Sequence, residues 1–414
     1  MESTELQQTI QRIKAGIRQA LANVIERDAV AQLILLGAIA QEHLIIIGPP
    51  GTAKSYVVKR VSSVMGGSYF EYLLGKFTEP SELFGTIDFA KLKEGRFETQ
   101  TKGMLPEANF VFLDEIFLAS TAILNTLLSI LNERKFRRGH TQLPCPLKIC
   151  VGASNHLPED ETLNAFSDRF LLTYFIEPIA DPQLEALLTS GWNLAKAPSP
   201  FDALPNSSAQ AEASDQQNLL NDIDSVSNQL KQVDINTIIP SLADTIRTLR
   251  KKDILLSDRR LTKLTKLIAA SALLEGRLVA SQQDLWPIIY AIQNEEHQRV
   301  ACEALQNHIG SAQHDLFGEA IYEAMGSLTS LESVLINSSE ELLFNYHNRT
   351  DSQDSNDLKP KNQDFSKQGN DKWKVKAEEL LRQIDAGFAS AGLSEKLNQL
   401  RQQLIEIAKP QVND

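Results

Sequence analysis

The chain has 414 residues, 42% hydrophobic and 23% charged, which suits two or three domains with a self-sufficient core and excludes a disordered or fibrous chain. Its net charge is −12, with 22 basic and 31 acidic residues after position 200, a poor match to non-specific nucleic-acid binding. The three cysteines, Cys145, Cys150 and Cys302, lack metal-site spacing and cannot form a disulfide framework, so they are expected to be small buried hydrophobes in a reducing compartment.

In chain order, residues 6–41 read as two helices. The opening "MESTELQQTIQRIK" has neither an apolar stretch nor a cleavage site, and the apolar runs at 29–40 and 44–47 are too short to cross a bilayer. The expectation is a cytoplasmic protein with no membrane span. "HLIII" (His43–Ile47), "SYFEYLL" (Ser68–Leu74), "NFVFLDE" (Asn109–Glu115), "LKICVGASN" (Leu147–Asn155) and "TYFIE" (Thr173–Glu177) read as five strands separated by helical segments, the pattern of a parallel sheet between helices. "KLKEGRFETQ" (Lys91–Gln100) interrupts this rhythm as a hairpin turning at Glu94-Gly95 and inserted into a helix. After Asp181-Pro182 the pattern becomes helical: 238–250, 259–276 and 284–345, with a polar, mobile loop at 196–231. The expected domains are a nucleotide-binding core at 1–180, a helical lid at 181–300 carrying that insert, a helical extension at 301–347, a linker at 348–372 and a C-terminal helical segment at 373–414. In the last, Leu380, Leu381, Ile384, Phe388, Leu393, Leu397, Leu400 and Leu404 follow helical spacing.

The octapeptide "GPPGTAKS" (Gly48, Pro49, Pro50, Gly51, Thr52, Ala53, Lys54, Ser55) follows the first strand and opens a helix, the context a phosphate-binding loop requires. Backbone N–H groups of such a turn point at phosphate, helped by the helix N-terminus. Lys54 is placed to reach the β- and γ-phosphates and Ser55 to hold Mg²⁺. Ala53 stands where G-x-x-x-x-G-K-[ST] has its second glycine. If that position needs a positive φ, the Cβ costs about 1–2 kcal/mol; if it is already right-handed helical, it costs nothing.

A phosphate loop calls for an acidic partner at another strand's carboxyl end, and "NFVFLDE" supplies Asp114 for Mg²⁺ and Glu115 as general base. Asn155 ends the next strand, where an amide either orients water or simply caps a turn. Arg169 in "NAFSDRF" fits either a finger reaching a neighbouring subunit's ATP or a surface ion pair with Asp168 or nearby acids. In "SDRR", Arg259 and Arg260 begin a helix whose dipole they oppose, a small cost that a phosphate ligand would offset.

Together "HLIIIGPPGTAKS", "FTEPSELFGTI", "GMLPEANFVFLDEI", "ILNTLLSILNERKF", "ASNHLPE", "DRF" and "SDRRLTKL" resemble the AAA+ ATPases of the MoxR family, especially the RavA-like branch, over residues 25–276. The resemblance implies an AAA+ P-loop NTPase core, a parallel sheet between helices, with an all-α lid and a helical C-terminal region. It implies ATP and Mg²⁺ as cofactors, with Gly48–Tyr56, Val24 and Ile25 around the nucleotide. Lys54 and Ser55 become the Walker A pair, Asp114 and Glu115 Walker B, Asn155 sensor 1, Arg169 the arginine finger in trans and Arg259 sensor 2, with Arg260 as the alternative. Lys91–Gln100 becomes the helix-2 insert and Lys135–Pro146 the pre-sensor-1 hairpin. It further implies a hexamer, a von Willebrand factor A domain partner and a protein client to be remodelled or matured.

An alternative is a nucleic-acid motor acting through that hairpin, supported by Arg134, Lys135, Arg137, Arg138 and His140 in "ERKFRRGH"; the acidic balance and the lack of a helix-turn-helix or zinc module weigh against it. A non-hydrolysing nucleotide switch is opposed by the presence of Lys54, Glu115 and Arg169.

Overall fold

The computed structural model describes residues 3–21, 24–158, 160–179, 183–196, 219–309, 381 and 395–408. The chain divides into two units, residues 1–320 and 321–414. In the first, helix α1 (Ser3–Leu21) buries Leu6, Ile10, Ile13 and Ile17. It packs on α3 (Lys54–Met65). Helix α2 (Asp28–Ala40) is apolar on every side and buried from Ala29 to Ala40, as such a helix must be.

Five strands form one parallel sheet: β1 (Leu44–Ile47), β2 (Tyr69–Leu73), β3 (Phe110–Asp114), β6 (Ile149–Ser154) and β7 (Leu172–Phe175), in the order β2-β3-β6-β1-β7. Every residue of β1 and β6 is buried, which explains why both read as unbroken apolar runs. One face of the sheet, including Ile45, Val111 and Leu113, packs on α6 (Thr121–Glu133) through Ile123 and Leu127, and on Phe170. Burial raises the thiol pKa of Cys145 to about 11 and of Cys150 to about 12, so both sit in the core as unreactive hydrophobes.

Two small elements project from this layer. The first spans residues 86–100. Short antiparallel limbs join Asp88 N to Glu98 O (2.8 Å) and Gln100 N to Thr86 O (2.8 Å), and Phe89–Lys93 between them is helical (α5), following α4 (Pro80–Phe84). The turn falls at Glu94-Gly95, but the ladder lies outside the expected 91–100 hairpin: Asp88 caps a helical turn by accepting from Ala90 and Lys91 N–H, and this displaces the strands outward. The second element is the hairpin of β4 (Lys135–Arg138) and β5 (Thr141–Pro144). The two grip one another. His140 N donates to Phe97 O (3.1 Å), Thr99 N to Thr141 Oγ1 (2.7 Å) and Arg138 Nη1 to Gly85 O (2.9 Å).

Beyond the sheet the described structure is helical: α7 (Glu161–Ser167) lies before β7, and α8 (Leu184–Lys196), α9 (219–228), α10 (Ile239–Arg250), α11 (Asp258–Leu274), α12 (Pro287–Tyr290) and α13 (Glu295–Ile309) follow it. Helix α9 and the 3₁₀ turn Gln229–Gln232 correct the expected loop at 196–231, whose part 197–218 lies outside the described residues. Leu220, Ile223 and Val226 are buried at i, i+3, i+6, and Ser227 Oγ donates to Ile39 O (2.9 Å). The expected helical block at 284–345 is broken between α12 and α13, and 310–345 lies outside the described residues, as does the linker. In the second unit, α14 (Glu395–Ala408) buries Leu400 and Leu404, on the predicted stripe. Among the described residues no helix is long and apolar enough to cross a membrane.

Gly139 has φ +59, and a Cβ there would lie 2.1 Å from Phe97 Cδ1 and 3.2 Å from Phe97 O. Gly139→Ala is therefore expected to destabilise the chain by about 1–3 kcal/mol, read as a lower thermal midpoint by circular dichroism.

Candidate functional site

Because β6 lies between β1 and β3, and Ile47 pairs with Ser154 while Leu113 pairs with Gly152, three strand ends emerge side by side at the carboxyl edge. Sheets of this kind bind ligands at that edge. From β1 comes the turn 48–53. Gly48 is obligatory there, since a Cβ would sit 2.2 Å from Ile176 O. Thr52 Oγ1 closes the turn on Pro49 O (3.0 Å). Among the described residues, the backbone N–H groups of Gly51 to Ser55 donate to no protein acceptor. Gly51 has φ +82 with open space beside it.

Lys54 is buried at the start of α3. Its Nζ donates to Gly48 O (2.5 Å) and Pro49 O (3.3 Å) and reaches Asn155 Oδ1 at 3.5 Å. Asn155 Nδ2 in turn donates to Glu115 Oε1 (2.8 Å). Burial lowers the Lys54 pKa, and the carboxylates of Asp114 and Glu115 oppose that shift, so all three charges share one field. Asp114 Oδ1 accepts Glu115 N–H (3.0 Å), which leaves its second oxygen for another partner. Glu115 itself has φ 51, ψ 44, a left-handed conformation that costs about 1–3 kcal/mol in a non-glycine residue and is the kind of strain found at functional sites.

Ala53 has φ 62, ψ 24. Of the two conformations open to it from sequence, the structure takes the costly one. The side chain of Ser55 is half-buried in the first turn of α3, and Tyr56 follows with the Arg60 guanidinium 5.7 Å from its ring centre. Val24 and Ile25 are half-buried in the connection between α1 and α2, two residues and one residue before Glu26.

Two parts of the chain match known families. The profile described as "MoxR domain in the MoxR-vWA-beta-propeller ternary systems" matches residues 11–212, and the AAA lid domain profile matches 234–305. Two uncharacterised proteins of Methanocaldococcus jannaschii are 36% and 34% identical over 262 and 289 residues, which are 63% and 69% of this chain and 64% and 73% of theirs. The chain belongs to the MoxR family of AAA+ ATPases. The chaperone MoxR1 of Mycobacterium tuberculosis is 26% identical over 166 residues, 39% of this chain and 43% of that protein. The crystal structure of a candidate ATPase from Cytophaga hutchinsonii has the same fold, with a TM-score of 0.57 and 18% identity over 75% of this chain and 99% of the other.

The MoxR-family chain does not gather all its candidate residues at one place. Arg169 lies three residues before β7, at the amino edge of the sheet, with its Nε buried and without an acceptor among the described residues. Arg259 Nη2 donates to Asn132 Oδ1. Asn132 adjoins Leu131, whose carbonyl is 3.1 Å from His43 Nε2, just ahead of β1. Arg259 too is therefore at the amino edge, about 13 Å of strand away from the phosphate turn. Arg260 is fully engaged, pairing with Asp168 (2.8 Å) and donating to the carbonyls of Phe170, Leu171 and Ala291 at 2.6–3.0 Å; it fastens α11 to the core. That separates the two neighbours, with Arg259 the half-exposed one. The pairing of Asp168 with Arg260 also disposes of an Arg169–Asp168 ion pair.

The basic run "ERKFRRGH" is partly engaged by the fold. The Arg134 guanidinium is tucked against His43 and donates to Gln41 O (2.7 Å), Arg138 binds Gly85 O, and Arg137 pairs with Glu133 (3.3 Å). The nucleic-acid reading loses Arg134 and Arg138 to these contacts, while Lys135, Arg137 and His140 stay exposed.

Sequence reasoning passed over Arg27. It is 5% exposed and donates to Thr52 O (3.2 Å), Glu26 O (2.7 Å) and Glu177 O (3.1 Å). The available signal was a cation placed at the head of an entirely apolar helix, against the dipole.

Because Ala53 already holds the left-handed conformation that glycine adopts freely, Ala53→Gly is expected to change nucleotide affinity by less than about threefold, measured by titration with a fluorescent nucleotide.

Proposed function

We propose that this chain binds and hydrolyses ATP with Mg²⁺ as a ring-forming member of the RavA-like branch, and that it uses the cycle to remodel or mature a protein client. The observation that carries the reading is the run of unpartnered N–H groups from Gly51 to Ser55 beside the Lys54–Asn155–Glu115 chain. An anion is what satisfies such a run at a helix N-terminus. The residues fit a magnesium-bound triphosphate: Gly48–Tyr56 would hold its phosphates, Val24 and Ile25 would lie near the base, and Ser55 would hold the metal, with Asp114 ordering it through its waters. Mg²⁺ keeps most of its water and takes only one or two protein oxygens at such sites, and it neutralises phosphate charge. Lys54, now on the carbonyls of Gly48 and Pro49, would turn to phosphate oxygen when the nucleotide is bound. Glu115 accepts a proton from the attacking water, and Asn155 holds the Glu115 carboxylate in line.

Arg169 and Arg259 stand at the opposite edge of the sheet from this turn. They serve a neighbouring copy's nucleotide, which is the argument for a ring, expected to be a hexamer. The family profile's name supports a von Willebrand factor A domain partner, and the similarity to a mycobacterial MoxR chaperone supports a protein client. A cytoplasmic location fits these roles. The domains are proposed as 1–180 for the core, 181–300 for the lid, and the remainder for the helical extension, linker and C-terminal segment.

Lys54→Ala is expected to abolish ATP binding, whereas Glu115→Gln retains it and loses about 10²–10⁴-fold in turnover; normal turnover in the second variant removes the base assignment. In mixed assemblies, Arg169→Ala subunits should regain activity beside Lys54→Ala subunits, each supplying what the other lacks. Failure of complementation would place Arg169 in a structural role. Stimulation of turnover by DNA with a steep salt dependence would restore the nucleic-acid reading.

A further inference from the structure

The phosphate turn is built from residues unsuited to its backbone. Ala53 has φ 62, and Glu26, on the neighbouring connection, has φ 52; neither is glycine. Both strained points adjoin a carbonyl held by one side chain. Arg27 Nε donates to Thr52 O, the carbonyl directly before Ala53, while Nη1 donates to Glu26 O and Nη2 to Glu177 O just beyond β7. Every hydrogen bond given for Arg27 among the described residues goes to a neutral carbonyl, and the Glu26 carboxylate supports this buried cation only at longer range. Such a group is expensive to bury and survives only when its hydrogen bonds are complete.

The geometry of the peptide gives the contact a consequence. In a planar trans peptide the C=O and the following N–H point in opposite directions. Fixing Thr52 O on Arg27 therefore turns the Ala53 N–H away from Arg27, and that N–H is one of the unpartnered donors of the turn. If the Thr52–Ala53 peptide rotates, Ala53 can leave the left-handed well, and the turn loses a phosphate donor. Glycine at position 53 would hold the same shape without help, because it has no Cβ to strain.

We infer that Arg27 is a positioning residue that holds the phosphate turn in its binding shape and so replaces the missing second glycine. This rests on the nucleotide reading above for its consequence, though not for its structural part. It predicts an energetic coupling between two residues that a merely stabilising arginine would not have with Ala53.

The test is a double-mutant cycle of Arg27→Met and Ala53→Gly in the full chain, titrated with N-methylanthraniloyl-ATP and Mg²⁺, with Lys54→Ala as the control. Arg27→Met is expected to weaken binding about tenfold or more in the parent, and about threefold or less in the Ala53→Gly background. Equal losses in the two backgrounds, or no loss, overturn the inference. Thermal midpoints without nucleotide supply a second cycle of opposite sign. Losing the tie in the parent also releases Ala53 from its strained well, so Arg27→Met should lower the midpoint less in the parent than in the Ala53→Gly background; equal drops overturn the inference. A parent that binds the nucleotide no better than Lys54→Ala refutes the nucleotide reading, and the thermal cycle still decides the role of Arg27. Should Arg27→Met fail to fold, Arg27→Lys, which keeps a cation but not three directed donors, replaces it in both cycles.

Discussion

The position of β6 between β1 and β3 is the constraint on which the site depends. Parallel strands put all carboxyl ends on one edge, but only adjacency brings Lys54, Asn155 and Glu115 within hydrogen-bonding reach of one another. Had β3 paired directly with β1, Asn155 would lie outside the pair and Glu115 would have no amide partner. A one-residue slip in the β1–β6 register would move Asn155 along the edge and reverse the faces of its strand. The burial of every residue in β1 and β6 makes such a slip costly, so the core on both sides of the sheet fixes the geometry of the edge.

Part of the chain's backbone strain lies at the same edge. Of the non-glycine residues with positive φ, Glu26, Ala53 and Glu115 belong to the candidate site or adjoin it. Each has a compensating contact close by: Arg27 on the carbonyls of Glu26 and Thr52, and Asp114 Oδ1 on the Glu115 N–H. Left-handed residues without such contacts would relax at a gain of about 1–3 kcal/mol each, and the relaxed turn would present fewer donors. Gly48 and Gly51 shape the start of the turn, and at position 53 a contact from outside the motif, Arg27 on Thr52 O, stands where a second glycine would need none.

How much of this could be read in the sequence depended on whether the deciding interaction was local. The five strands were legible because buried parallel strands are continuous apolar runs bounded by turn residues, as in "HLIII" and "NFVFLDE". The phosphate turn and the Asp114-Glu115 pair were legible because each lies at a strand end marked by its own residues. Helix α9 was missed because Leu220, Ile223 and Val226 are separated by Asn, Asp and Ser, so the segment's composition suggested a loop while its spacing was helical. Arg27 was missed because its partners are backbone carbonyls, which leave no trace in residue identity. The same holds for the distinction between Arg259 and Arg260: adjacent in sequence and alike in type, they differ only in which one α11 turns into the core.

The amino edge has its own logic. Arg260 fastens α11 to the residues leading into β7, and the buried Glu42 carboxylate, just before β1, is bound by Lys263 and Lys266 of the same helix. These ties fix α11 to the amino ends of the central strands. Arg259 stands on that helix and Arg169 on the segment Arg260 binds, so the two arginines are carried by one rigid assembly. Any displacement of α11 against the sheet must break a buried charge pair, which is strongly unfavourable when one partner is left alone. The two arginines are therefore held to the sheet by the same buried charge pairs.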